Sequence, residues 1–229
     1  RYPPRAAAGV PAPAGGGDVG GGKAKSVLVH RFGPIVLPLE RRQEADTTDT
    51  AHWMLRSCKT AGTACLNFDA VGIGAGVSST LSKQDDALTC APINTGVAPT
   101  DRTWPDGRTS EEMFGNLKAE IWWLARQAFQ RTHAHVLWLQ KQEGGSKQQL
   151  DELIALPMDA SLGAQLSVVK WLRNEKGKII IEPKLALAKR GVASPDDADA
   201  FVLTFLEAPL DGNAGVTLDV SSLHRENPM

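Results

Sequence analysis

Four aspartates stand where carboxylates commonly do chemistry. Asp18 lies among glycines just ahead of a β-branched run, Asp69 closes the short apolar run TACLNF, and Asp196 and Asp199 sit three apart in SPDDADA. A separation of three puts two side chains on one helical face, while Asp197 points elsewhere. Magnesium and manganese are hard ions that take oxygen ligands, usually one or two carboxylates with water and phosphate. A pair of them about 3.5–4 Å apart can activate an attacking water and steady the leaving oxygen of a phosphodiester. Three or four clustered carboxylates meet that need. Each acid also has a plainer reading. Asp18 and Asp69 border glycines and suit turns, and Asp196 suits a first helical turn, where the dipole favours acids.

The elements that must carry these acids follow from hydrophobic pattern and punctuation. Residues 1–17 are Pro, Gly and Ala with little apolar weight and read as a flexible lead-in. Residues 26–31 and 34–39 are two apolar, β-branched runs around Phe32-Gly33, a hairpin pattern. Asp46 and its threonine neighbours offer N-caps for a helix to about Ala61, ended by Gly62. Residues 63–68 read as a strand buried on both faces, with Asp69 at its end. Gly72-Ile-Gly-Ala-Gly76 turns into a helix near 77–83, and 88–94 is the next strand.

Beyond a polar loop at 95–109, a long helix is expected from Ser110 to about Arg131, with helix pattern again at 148–156 and 160–174. Residues 132–149 are ambiguous. Residues 178–182 read as a strand. Ser194-Pro195-Asp196 opens a helix to about Glu207, with Pro195 at its first position. The rest is a weakly structured tail. Strands alternating with helices predict an α/β fold, a mixed sheet with helices on both faces, over residues 18–207.

The bulk properties fit a globular domain. The chain has 229 residues, a formal net charge of −1, 42% hydrophobic and 22% charged residues. A DNA track must then be local. One stretch supplies it: between residues 170 and 190 stand Lys170, Arg173, Lys176, Lys178, Lys184, Lys189 and Arg190, against Glu175 and Glu182 alone. Such a track would hold phosphates, though a solvated basic face has the same pattern. Cys58, Cys65 and Cys90 lack metal-site spacing and fit a reducing compartment. No apolar run reaches a membrane span, and no signal peptide is expected. Trp122 and Trp123 suit a helix core better than base stacking. His133 and His135 read as solvent-facing, and His30 as structural.

Four stretches together resemble the nuclease domain of phage terminase large subunits: GGDVGGGKAKSVLVHR, LNFDAVGIGAGVSSTL, FGNLKAEIWWLARQAF and KGKIIIEPKLALAKRGVASPDDADAFVLTF. They keep the family's order over about residues 16–206. The combination of FDAVGIGAGV with KGKIIIEPK and SPDDADA is the specific part. The resemblance implies a ribonuclease-H-like fold and an acidic cluster holding two Mg²⁺ or Mn²⁺ ions. It implies that Asp18, Asp69, Asp199 and Asp196 are catalytic, metal-binding positions, Asp199 preferred over Asp196 as direct ligand. It implies DNA contacts by Lys178, Lys184, Lys189 and Arg190. It further implies double-stranded phage DNA, an ATPase motor, a small terminase subunit and a portal as partners, no membrane, and the host cytoplasm as compartment.

Two departures from that pattern matter. Pro11 and Pro13 argue against a central strand running into Asp18, so a damaged or replaced first strand is expected, with catalytic competence open. The second acid that often follows the first is replaced here by Lys23, Ala24 and Lys25. No G-x-x-x-x-G-K-[ST] phosphate loop occurs, so this chain is not the packaging motor alone; a fragment, a split gene product or a prophage remnant is expected. Two other functions fit parts of the sequence. One is an inactive DNA-binding or assembly remnant. The other is a nucleotide-binding module on the Gly72–Gly76 turn, although Val77 stands where the dinucleotide fingerprint needs a small residue.

Overall fold

The computed structural model describes residues 12–22, 24–72, 74–81 and 88–206, with the backbone alone for 74–76 and 79. Residues 14–17, expected within a flexible lead-in, instead form most of β1 (Ala14–Asp18), buried throughout. The rest of the lead-in up to Pro11, and the tail from Glu207, lie outside the described residues. The expectation of a damaged first strand is overturned. Pro13 sits one residue before β1, where its missing N–H costs the ladder nothing, and its carbonyl accepts from the amides of Ala64 and Cys65.

The glycines of β1 have a packing reason. A Cβ on Gly16 would lie 1.9 Å from the carbonyl oxygen of Ala200, and one on Gly17 would press on Met54 and Phe68 at 3.3 Å. The strand carries almost no side chains because a helix lies directly on it. Composition alone made AGGGD look like a linker; close helix–strand approach explains it.

β2 (Ser26–Phe32) pairs antiparallel with β1, with β3 (Ile35–Val36), and with β4 (Glu40–Arg42). The expected hairpin therefore forms, turning at Gly33 with φ 57°. α1 (Thr47–Ala61) has the Asp46 cap and ends on Gly62 in the left-handed conformation, both as expected. β5 (Cys65–Asp69) runs parallel to β1, α2 (Gly74–Leu81) follows, and β6 (Thr89–Ile93) runs parallel to β5. The mixed sheet has the order β3-β2-β1-β5-β6, with β4 also on β2.

The expected long helix breaks into α3 (Ser110–Met113) and α4 (Leu117–Leu139). Phe114 is extended and bridges Ile179, and a Cβ on Gly115 would meet Ile180 at 2.6 Å, so the chain is drawn out of helix to meet a strand. α4 runs on into the ambiguous 132–149 stretch as far as Leu139. His135 is thus buried on a helix, its Nδ1 accepting from the Gln148 amide, rather than facing solvent. Helix expected at 148–156 shrinks to one 3₁₀ turn at Leu150–Glu152.

α5 (Ala160–Val168) is shorter than expected because 171–173 joins a second sheet. There β7 (Trp171–Arg173) pairs antiparallel with β8 (Ile179–Ile181). Asn174 Oδ1, accepting from the amides of Lys176 and Lys178, and Gly177 at φ 74° close that hairpin. α6 (Lys184–Lys189), which the sequence pattern did not suggest, follows. α7 (Asp196–Leu203) is capped at Pro195, so it starts one residue later than expected.

Two apolar clusters sandwich the main sheet. Leu28, Leu66 and Phe68 pack with α1 and α2 on one face. Val27 and Val29 pack with α4, α5 and α7 on the other. Helices thus cover both faces of a mixed sheet, the α/β arrangement read from the sequence. No helix among the described residues is long and apolar enough to cross a membrane.

Candidate active site

Sheet register brings two of the acids together. Gly17 of β1 is the partner of Phe68 of β5 in a parallel pair, so the next residues, Asp18 and Asp69, emerge side by side at the carboxyl ends of neighbouring strands. Asp18 is buried, and Asp69 also accepts a hydrogen bond from the Val71 amide at 2.9 Å. α7 supplies the other two. The Gly16–Ala200 contact seats its first turns at the end of β1, and Asn67 of β5 donates to the carbonyls of Leu203 and Leu206, holding its far end. Asp199 is buried and Asp196 half-buried.

Electrostatics report the convergence. The Asp18 carboxyl is raised from 3.8 to about 7, by burial first and then by repulsion from Asp199, Asp196 and Asp69, against the pull of Lys184. Lys184, at the start of α6, is raised in turn: burial works to lower it, and Asp199, Asp18, Asp196 and Asp69 outweigh that. Its Nζ lies 3.7 Å from Asp199.

One residue of the cluster escaped the sequence reading. Lys118, in the first turn of α4, places Nζ 2.8 Å from Oδ1 of Asp199 and donates to Oδ2 at 3.0 Å. It shares a narrow cleft with Asp69, Thr95 and Asp199. Its amide donates to Thr95, and buried Glu120 accepts from Thr100 and Ser110, strapping the loop after β6 to α4. The signal was present in FGNLKAE, but a lysine in a first helical turn reads as a solvated residue until the fold turns it inward.

The neighbouring aspartate goes elsewhere, as its helical phase requires. Asp197 accepts from Arg41 at 2.7 Å, Ser161 at 2.5 Å and Gln165 at 3.0 Å, fixing α7 to β4 and α5. Of the basic track, Arg190 is turned to the fold, donating to Glu182 at 2.7 Å and to the Val168 carbonyl at 3.0 Å. Lys189 is exposed and Lys178 half-buried. His30 is buried, exchanging hydrogen bonds with Thr63 at 2.8 Å and Ser57 at 3.0 Å. Of the Gly72–Gly76 turn, Gly72 takes φ 67° and Ile73 lies outside the described residues.

The donor set fits hard divalent ions. It holds carboxylates and no soft ligand, one of its acids is driven toward neutrality by burial and then by its acidic neighbours, and Asp199 Oδ1 is buried without a directed hydrogen bond. Among the described residues no three acids, histidines or cysteines close into a finished ligand set. Lys118 and Lys184 supply the cations that the cluster meets instead.

No protein-family model and no curated protein matches this sequence. Solved structures do. A mutant nuclease domain of the large terminase subunit gp2 of bacterial virus Sf6, with manganese and beta-thujaplicinol, is 19% identical, with a TM-score of 0.76 over 86% of this chain and 89% of its own. The nuclease domain of Sf6 gp2 without that substitution is 20% identical, with the same TM-score and coverage. The large terminase nuclease of thermophilic phage G20c is 15% identical, with a TM-score of 0.50 over 89% of this chain and 90% of its own. This chain therefore has the fold of the nuclease domains of phage large terminase subunits, the ribonuclease-H-like arrangement that its sequence resembles.

Proposed function

We propose that this chain is a divalent-metal-dependent endonuclease, the nuclease domain of a phage or prophage terminase large subunit, cutting double-stranded DNA during genome packaging. The observation that carries the proposal is the meeting of Asp18, Asp69, Asp196 and Asp199, acids from widely separated parts of the sequence that together press on Asp18. The fold shared with terminase nuclease domains supports it, and so does the intact β1 that delivers Asp18.

Asp18, Asp69, Asp199 and Asp196 would hold two Mg²⁺ or Mn²⁺ ions. When bound, these would supply Lewis acidity and a water ionised near neutral pH. The chain's own residues do the rest. Asp18 must release its proton before it serves as a ligand. Lys118 and Lys184 hold the acids together by opposite charge while keeping the cleft polar. Lys184 is about half exposed and able to turn toward a phosphate. Lys178 and Lys189 would steady the DNA backbone from the same side, and Arg190 would fix α6 beneath them. An ATPase motor, a small terminase subunit and a portal would be its partners, in the host cytoplasm.

The test is nicking of supercoiled plasmid with Mn²⁺. Sequence-tolerant cutting is expected, lost in Asp69→Ala. Equal cutting by variant and parent, or no cutting by a folded parent, overturns the proposal.

A further inference from the structure

A cavity among the described residues lies away from the acidic cleft. It is a groove of about 420 Å³ between α4, α5 and β7, lined by Trp122, Trp123, Phe129, Leu166, Trp171 and Ile181 among others. Trp123 and Trp171 meet edge to face at 5.7 Å at its lip, and Trp171 is 46% exposed. The terminase reading uses none of this.

Among the described residues, the edge beside the groove is unpaired. β8 is covered on its outer side, where Phe114 bridges Ile179 and the Gly115 amide donates to the Ile179 carbonyl. β7 pairs with β8 alone among the described residues. Its register decides which groups are free. Glu182 donates to Lys170 and Asn174 to Lys178, so hydrogen-bonded pairs fall at 170, 172 and 174, and the amides and carbonyls of Trp171 and Arg173 face away from β8. Open strand edges are a common template for pairing with another chain. The surroundings are cationic. Arg126 stacks on Trp123 at 4.4 Å at the groove wall, Lys170 and Arg173 flank Trp171, and Glu175 in the hairpin turn is the one exposed acid between residues 170 and 190.

We propose that this edge and groove bind an extended segment of a partner polypeptide, apolar at alternate positions and acidic between them. The segment adds to β7 as a third strand. Its backbone pairs with Trp171 and Arg173, its apolar side chains fill the groove, and its carboxylates, on the opposite face, meet Lys170 within the positive field of Arg126 and Arg173. Duplex DNA has no apolar surface to fill such a groove.

The test is fluorescence anisotropy with a short labelled peptide alternating leucine or phenylalanine with aspartate. A lysine-for-aspartate version and an oligothymidylate are the comparison probes. Saturable binding of the acidic peptide alone is expected. Arg173→Pro removes an outward N–H while leaving the β8 pairing intact, and is expected to weaken binding at least tenfold. Arg126→Glu, an exposed surface change that does not depend on the hairpin's folding, is expected to do the same. The proposal is overturned by absence of binding, by equal binding of the lysine peptide, by indifference to both variants, or by oligothymidylate displacing the peptide. That last result would assign the groove to single-stranded nucleic acid.

Discussion

Lys118 and Asp199, 81 residues apart, form the shortest ion contact of the acidic cleft, with Nζ 2.8 Å from Oδ1. The lysine is where an incoming cation would compete. Lys118→Ala leaves a largely buried carboxylate with only the more distant Lys184 as ion partner, so the metal-free variant is expected to be less stable by about 1–3 kcal/mol, somewhat under the cost for a fully buried pair. The same change is expected to tighten Mn²⁺ binding by roughly three- to tenfold, about 0.7–1.4 kcal/mol. Melting with and without Mn²⁺ reads both. Equal melting of variant and parent in both conditions contradicts the pairing.

Asp18 sets a pH dependence. Its folded-state carboxyl, at about 7, holds its proton more tightly than the unfolded one at 3.8. Its contribution to stability therefore falls as pH rises from 3.8 through 7, and is fully unfavourable above that. The rise corresponds to at most about 4 kcal/mol. Asp18→Asn is expected to raise the stability of the metal-free protein at pH 8 by roughly 2 kcal/mol and to have little effect at pH 4. Denaturant unfolding at the two pH values checks this; an equal change at both contradicts it.

His30 works in the opposite sense. Burial depresses it below 6.5, with Glu40 opposing that shift. The stability it protects is complete above 6.5 and lost as pH falls from there toward the folded value. Measured in the Asp18→Asn background, so that Asp18 does not mask the slope, stability is expected to drop between pH 6.5 and 5. Adding His30→Gln should flatten that drop. An unchanged slope would contradict the assignment.

Two glycines separate packing from propensity. Gly16→Ala drives a methyl into the Ala200 carbonyl at 1.9 Å, and is expected to cost about 3 kcal/mol or more, or to prevent folding. Gly163 in α5 has open space where a Cβ would go, so Gly163→Ala is expected to stabilise by about 0.5–1 kcal/mol. Urea midpoints of the pair decide; similar values for both would contradict the contact.

Much of the positioning scaffold was legible because the relevant signals are local. Asp46 and Gly62 bound α1 through cap chemistry, and the apolar run ending in Asp69 makes β5. What escaped was set by tertiary contact. AGGGD is a strand only because α7 needs glycines beneath it. Residues 171–173 leave the helical pattern because Ile179–Ile181 lies opposite to pair with them. Lys118 joins the acids because α3 and α4 break at Phe114 and Gly115, which no period in the sequence announces. Asp18, Asp69, Asp196 and Asp199 were named from chain position and resemblance, whereas their meeting rests on the register of β1 with β5 and the seat of α7 on Gly16.

Mn²⁺ titration calorimetry at pH 8 tests the central claim most directly. The parent is expected to bind Mn²⁺ saturably, and Asp199→Asn, nearly the same shape, to bind at least tenfold more weakly while keeping its fold by circular dichroism. Unchanged affinity in that variant, or no binding by the folded parent, would contradict the assignment of these carboxylates to a metal-dependent nuclease centre.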